Sequence, residues 1–298
     1  MPPSPPARAP TSRSDRRSPL ADTAAQALGA VGAVAALAGV VRFARRAGFE
    51  EPRRLEVRHL DLALPRWPAG AGRLRCLFLT DFHCGSPWNG LDRLRQIVRC
   101  ALVEEADLIL LGGDYVSGHV LGGRFVPPEA IASVLAELKA PLGVWAVLGN
   151  HDYYIDAHRV RAALEAVGVP VLHDAAHFFA PSERLPLGLW LLGISDFLED
   201  AHDVEAALAA QRALREQRHA CGLPTPDDAP TVVLTHSPDV FPTIPDAAAL
   251  TVAGHTHGGQ VVLPGLGAPA VPSIFGRRYL DGHLVEDGRH LVVSRGLG

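Results

Sequence analysis

Hydrophobic positions change their spacing along the chain, and the changes mark out its parts. Residues 1–23 are rich in Pro, Ser and Arg and show no apolar repeat, a composition that predicts a disordered tail. Residues 24–41 then run without a single charge, flanked by arginines on both sides. From residue 55 onward, short runs dominated by Leu, Val and Ile alternate with stretches of helical spacing. The runs at 74–80, 108–111, 144–148, 189–194, 231–234 and 251–253 have strand length, and each closes on a polar or Gly-containing turn. Helical spacing marks residues 91–104, where Leu91, Leu94, Ile97, Val98, Ala101 and Leu102 share a face, and also 128–138 and 158–167. Continuously apolar strands alternating with helices predict an α/β fold over residues 55–298.

In such sheets ligands collect beyond the carboxyl ends of the strands, so the residues at those points carry the argument. They read Asp81-Phe82-His83, Gly113-Asp114, Gly149-Asn150-His151-Asp152, Thr235-His236 and Gly254-His255-Thr256-His257. One Asp or His in a loop is ordinarily a cap or a solvated group. Five strand ends that each deliver Asp, Asn or His point instead to one metal centre. Mixed carboxylate, imidazole and amide donors suit borderline divalent ions such as Mn²⁺, Fe²⁺ or Zn²⁺. Alternation lets Asp81 pair with His83, and His255 with His257, on one side of the backbone.

This order of motifs, DxH, GD, GNHD, H and GHTHGGQ, resembles the calcineurin-like metallophosphoesterase superfamily, and the motifs span residues 81–260. The resemblance implies a four-layer α-β-β-α sandwich and two divalent ions, manganese first, with iron or zinc as alternatives. It implies that Asp81, His83, Asp114 and His257 hold one ion, and that Asp114, Asn150, His236 and His255 hold the other. His151 would act on the phosphate as acid or transition-state stabiliser, with Asp152 as its orienting partner. His119, five residues past Asp114, is a candidate substrate contact. A finer likeness, to membrane-associated bacterial phosphodiesterases and UDP-2,3-diacylglucosamine pyrophosphatase-like proteins, rests on the N-terminal segment, residues 55–64, the GHTHGGQ form and Ser294-Arg295-Gly296-Leu297-Gly298. It implies cleavage of a phosphodiester or pyrophosphate in a lipid-linked or nucleotide-sugar-lipid substrate. By that likeness a further stretch is expected where this chain stops at Gly298. The alternatives are a phosphomonoesterase or nuclease on the same scaffold and, from another class, a metal-binding membrane protein without turnover.

Charge narrows the partners. Residues 1–54 hold nine Arg against four acids, which leaves 19 bases against 28 acids in residues 55–298. That acidic balance lacks the basic footprint of nucleic-acid binding, so no polynucleotide partner is expected. The segment 24–46 is expected to hold the protein at the cell membrane, as a single-pass or peripheral anchor. Its Ala and Gly content makes insertion marginal, and arginines on both flanks leave its orientation open. Arg16-Arg17 offers a twin-arginine export element as a competing reading, and a soluble Ala-rich helix is a third.

Overall fold

The computed structural model of the chain describes residues 19–118, 120–198, 202–263 and 265–298. Contacts divide the chain after Arg54. In the first unit, α1 (Pro19–Arg45) is a 27-residue helix. Residues 19–23, expected in the tail, are therefore helical, whereas residues 1–18, with Arg16-Arg17, lie outside the described residues. Among the described residues no helix is long and apolar enough to cross a membrane. The many Ala and Gly residues of α1 supply little of the apolar area that insertion needs. Leu28, Val31, Val34, Leu37 and Val40 of α1 are exposed.

The second unit, Leu55–Gly298, contains two sheets. In the first, β1 (Cys76–Leu79), β2 (Leu108–Leu111) and β3 (Val144–Ala146) run parallel in that order. In the second, the order is β4 (Ala175–Phe179), β5 (Leu189–Ile194), β6 (Thr231–Thr235), β7 (Leu250–Ala253), β9 (Arg289–Val293) and β8 (Gly282–Glu286). Strands β5, β6, β7 and β9 are parallel, and β4 and β8 are antiparallel edges.

Alternation along the strands assigns the layers. On β2, Ile109 and Leu111 face a core shared with α2 (Leu91–Val103), α3 (Pro128–Leu135) and α5 (Ala157–Ala166), while Leu108 and Leu110 face the other way. That second core joins the sheets, since Leu189 and Leu191 of β5 and Val232 and Leu234 of β6 enter it from the opposite side. Trp190, Leu192 and Val233 then turn to a third core under α6 (Val204–Ala220). Helices, sheet, sheet, helix is the α-β-β-α sandwich, and burial on both faces is why these strands read as unbroken apolar runs.

The hydrophobic pattern did not single out α6, β4 or the β8–β9 hairpin. The hairpin carried a signal: Asp287-Gly288 turns it with positive φ at both residues, 52° and 74°, as a two-residue turn of its type requires. A short helix, α4 (Asn150–Ile155), follows β3 directly.

Candidate metal centre

Every parallel strand of the first sheet, together with β6 and β7 of the second, ends at the same place. Asp81 and His83 follow β1, Asp114 follows β2, Asn150 opens α4 after β3, His236 follows β6, and His255 and His257 follow β7. The sheets are tied there by His236, whose Nδ1 lies 2.7 Å from the Gly112 carbonyl, and by the amide of His255, which donates to both oxygens of Asp81 at 3.1 Å. Thr80 donates its hydroxyl to Asp81 Oδ2 at 2.8 Å. The Gly112 contact places a proton of His236 on Nδ1, so Nε2 is the nitrogen aimed into the site, where it takes either a second proton or an ion.

The chain bends sharply to deliver these groups. Asp81, His83, Asp114, His255 and His257 all have positive φ, between 42° and 70°. Two glycines make the convergence possible. A methyl group on Gly149 would overlap Asp114 Oδ1 and come within 2.7 Å of His236 Cε1, and one on Gly254 would overlap Asp81 Oδ2.

Within the site, Asp114 is central. Its Oδ2 lies 3.4 Å from His83 Nε2 and 3.4 Å from His236 Nε2. On the first side, His83 Nε2 is 3.0 Å from His257 Nε2, which is 3.4 Å from Asp81 Oδ1. On the second, His236 Nε2 is 3.2 Å from Asn150 Oδ1 and 3.1 Å from His255 Nδ1. All seven residues are thus brought together. Asp81, Asp114 and His236 are almost fully buried, at 0%, 1% and 0% exposure.

Such a cluster needs a cation. Burial lowers His83 and His255 to about 4, so both imidazoles are neutral and present lone pairs at neutral pH. Nitrogen lone pairs facing each other at about 3 Å repel unless a proton or metal lies between them. Burial alone would raise Asp114, yet the imidazoles of His236, His83 and His151 hold it below the usual carboxylate range. Burial likewise opposes charge on His236, and the Asp114 carboxylate outweighs it and raises His236 well above its ordinary value. A proton on His236 and a metal ion are alternative ways to balance that carboxylate. Oxygen and nitrogen donors without thiolate fit a borderline divalent ion.

His151 and Asp152 separate in role. The His151 ring stands edge-on to His83 at 4.7 Å, and its amide donates to Asp114 Oδ1 at 2.9 Å. A nitrogen of its ring lies within 4.8 Å of ligand atoms of His83 and Asp114, and Nδ1 is buried with no hydrogen-bond partner. Asp152 does not orient that ring. Its two oxygens accept the amides of Asp114 at 2.8 Å, Tyr115 at 2.9 Å, Gly149 at 2.9 Å and Val116 at 3.3 Å, which fills its acceptor sites. The expectation of a His151–Asp152 couple is corrected accordingly: Asp152 is a clamp between the turns after β2 and β3. Burial and the nearby Asp114 raise its carboxyl to about 7, against the amides that favour the ionised form. His119 lies outside the described residues.

One contributor went unnoticed in the sequence. Asp196, fully buried just after β5, raises the charge affinity of His236 by its own charge. The segment after β9 packs on the site, where the Leu297 amide meets the carbonyls of Thr80 at 3.1 Å and Asp81 at 3.2 Å. For Asp196 the signal was available, since Ser195-Asp196 ends an apolar strand as the other site residues do.

A family described as calcineurin-like phosphoesterase matches residues 74–263, which include every residue of the cluster. The chain belongs to the calcineurin-like phosphoesterase family. This phosphoesterase is 30% identical over 234 residues to phosphodiesterase YaeI of Escherichia coli, with 76% of each chain covered. It is 25% identical over 254 residues to the uncharacterized metallophosphoesterase YkuE of Bacillus subtilis, covering 85% of this chain and 82% of the relative. Among solved structures it is similar to the NAD nucleotidase of Haemophilus influenzae at 15% identity and a TM-score of 0.42, over 74% of this chain and 50% of the other. The phosphoesterase is a metal-dependent hydrolase of phosphoric esters.

Proposed function

We propose that the phosphoesterase cleaves a phosphodiester or pyrophosphate of a lipid-linked or nucleotide-sugar-lipid substrate with two divalent ions that share Asp114. The observation that supports the shared ligand is the position of Asp114 Oδ2, equidistant at 3.4 Å from an imidazole of each half of the cluster. Asp81, His83 and His257 would complete one ion's ligands, and Asn150, His236 and His255 the other's, with manganese first and iron or zinc as alternatives. Two such ions, when bound, make hydroxide available near neutral pH and hold phosphate oxygens for in-line displacement. The protein's own part is to keep His83 and His255 neutral, to fix His236 through Gly112, and to place the His151 ring beside the cluster. His151 is not among the proposed ligands, and it is positioned to protonate the departing oxygen.

The His151→Ala variant is expected to lose roughly 10²–10⁴-fold in turnover, the scale of general acid–base assistance, with its metal content near normal. Elemental analysis beside the rate measurement checks this, and loss of metal in the variant would move His151 into the ligand set. The bond cleaved is tested with metal-loaded protein on bis-p-nitrophenyl phosphate and p-nitrophenyl phosphate. A preference for the monoester would turn the reading to a phosphomonoesterase.

The lipid-linked part is supported by the N-terminal unit, with its uncharged run at 24–41 and with Arg42, Arg45 and Arg46 close behind. Each arginine near an anionic bilayer contributes about 1 kcal/mol, so the segment is suited to lie along the membrane surface. Full-length protein is expected in the membrane fraction, and most of the protein lacking residues 1–46 in the soluble fraction with its rate on the small diester retained. Recovery of full-length protein in the soluble fraction would remove the anchor.

A further inference from the structure

The loops that leave the metal centre differ in composition from the rest of their unit. Residues 84–91, 115–128 and 258–280 contain no Asp or Glu, although residues 55–298 carry 28 acids against 19 bases. Their charges are Arg124, Arg277 and Arg278. Arg278 is paired with Glu286 at 2.6 Å. Arg124 and Arg277 are exposed and, among the described residues, meet no carboxylate. Large apolar side chains stand in water on the same loops: Val120, Leu121 and Phe125 on one, and Val261, Val262 and Leu266 on another. Leu121 is fully exposed, at 101%.

Both loops are fixed to the site. The Arg124 amide donates to the Gly85 carbonyl at 2.7 Å, two residues past His83. The other loop starts at His257 and turns tightly where the Leu263 amide meets the Gly267 carbonyl at 2.9 Å, which presents Leu266 outward. Among the described residues Arg277 bonds only to the Ala268 carbonyl. Exposed apolar groups on held loops, accompanied by guanidinium groups that meet no carboxylate and by no acids, form a surface that an anionic bilayer complements in both respects. Soluble acidic partners would meet the guanidinium groups and leave the apolar side chains in water.

We propose that the metal-centre end of the domain docks on an anionic lipid surface, with these apolar side chains entering the interface and Arg124 and Arg277 facing lipid phosphates. This goes beyond the reading of the substrate, because it concerns where the catalytic domain rests, and it is measured without any turnover.

The test uses the full-length chain and co-sedimentation with phosphatidylcholine vesicles, with and without phosphatidylglycerol. Wild type is expected to prefer the phosphatidylglycerol vesicles, less so at high salt. The double variant Leu121→Asp, Val262→Asp is expected to bind about tenfold more weakly or worse. Arg124→Glu with Arg277→Glu should weaken the preference for phosphatidylglycerol to the part that Arg42, Arg45 and Arg46 supply. Val103→Asp, on an exposed residue at the far end of α2, should change neither. All variants should keep wild-type turnover of bis-p-nitrophenyl phosphate. Equal vesicle binding by wild type and the Leu121→Asp, Val262→Asp protein overturns the proposal, since any binding then resides elsewhere in the chain. So does loss of a wild-type oligomer with vesicle binding unchanged, which assigns the patch to a second copy, and so does loss of activity on the soluble diester, which assigns it to the substrate pocket.

Discussion

Asp152→Ala is expected to unfold the catalytic unit or bring it to the edge of unfolding. The side chain has no solvent exposure, and its two oxygens satisfy the amides of Asp114, Tyr115, Gly149 and Val116. A buried amide left without an acceptor costs about 1–3 kcal/mol. Three or four together approach the roughly 5–15 kcal/mol that keeps a domain folded. Water entering the space would recover part of this, so urea or thermal unfolding of metal-free protein is the measurement. Asp152→Asn, which keeps one oxygen but turns an NH₂ toward amide donors, should fall between wild type and Asp152→Ala. A variant with wild-type stability and reduced turnover would return Asp152 to the role of catalytic partner.

Asp114→Ala is expected to abolish the centre while sparing the fold. The substitution removes the one oxygen that lies 3.4 Å from an imidazole in each half of the cluster. Metal content should fall from near two ions per chain to below one, and turnover by at least about 10⁴-fold, since both activation of water and clamping of phosphate are lost. Removal of the carboxylate also takes away the charge and hydrogen bond that most raise His236, so the affinity of that imidazole for a proton falls, with Asp81 and Asp196 left to raise it. Elemental analysis beside a rate assay decides the matter. Two retained ions with a rate within tenfold of wild type would end the shared-ligand reading.

The sequence made the site more legible than the fold around it. Asp81, Asp114 and His236 stood out because each follows an apolar run of strand length, and position at a strand end is a property of the sequence alone. The α/β class followed from continuously apolar strands, and the four-layer sandwich from the resemblance to the family. What escaped had weaker local signals. The helix α6 builds its inward stripe largely from alanine, with Val204 and Ala207 as its buried residues, so its contrast between faces is low. Strand β4 reads Ala-Ala-His-Phe-Phe and has neither a clean alternation nor a flanking glycine. The Asp152 clamp escaped for a different reason. Three of its four partners are backbone amides 36 to 38 residues earlier in the chain, and no side-chain motif records a bond to a backbone group.

The positive φ angles at Asp81, His83, Asp114, His255 and His257 bear on how such a centre can be altered. Among residues other than glycine, Asn, Asp and His are the ones most often found in that region of backbone space. At these five positions the conformation of the main chain and the chemistry of the donor therefore select the same residue types. An exchange of His for Glu, or of Asp for a β-branched residue, would be opposed by the bend of the chain as well as by the ion. Re-tuning metal preference by swapping donors is consequently better begun at Asn150 and His236, whose φ angles are not positive, than at the five bent positions.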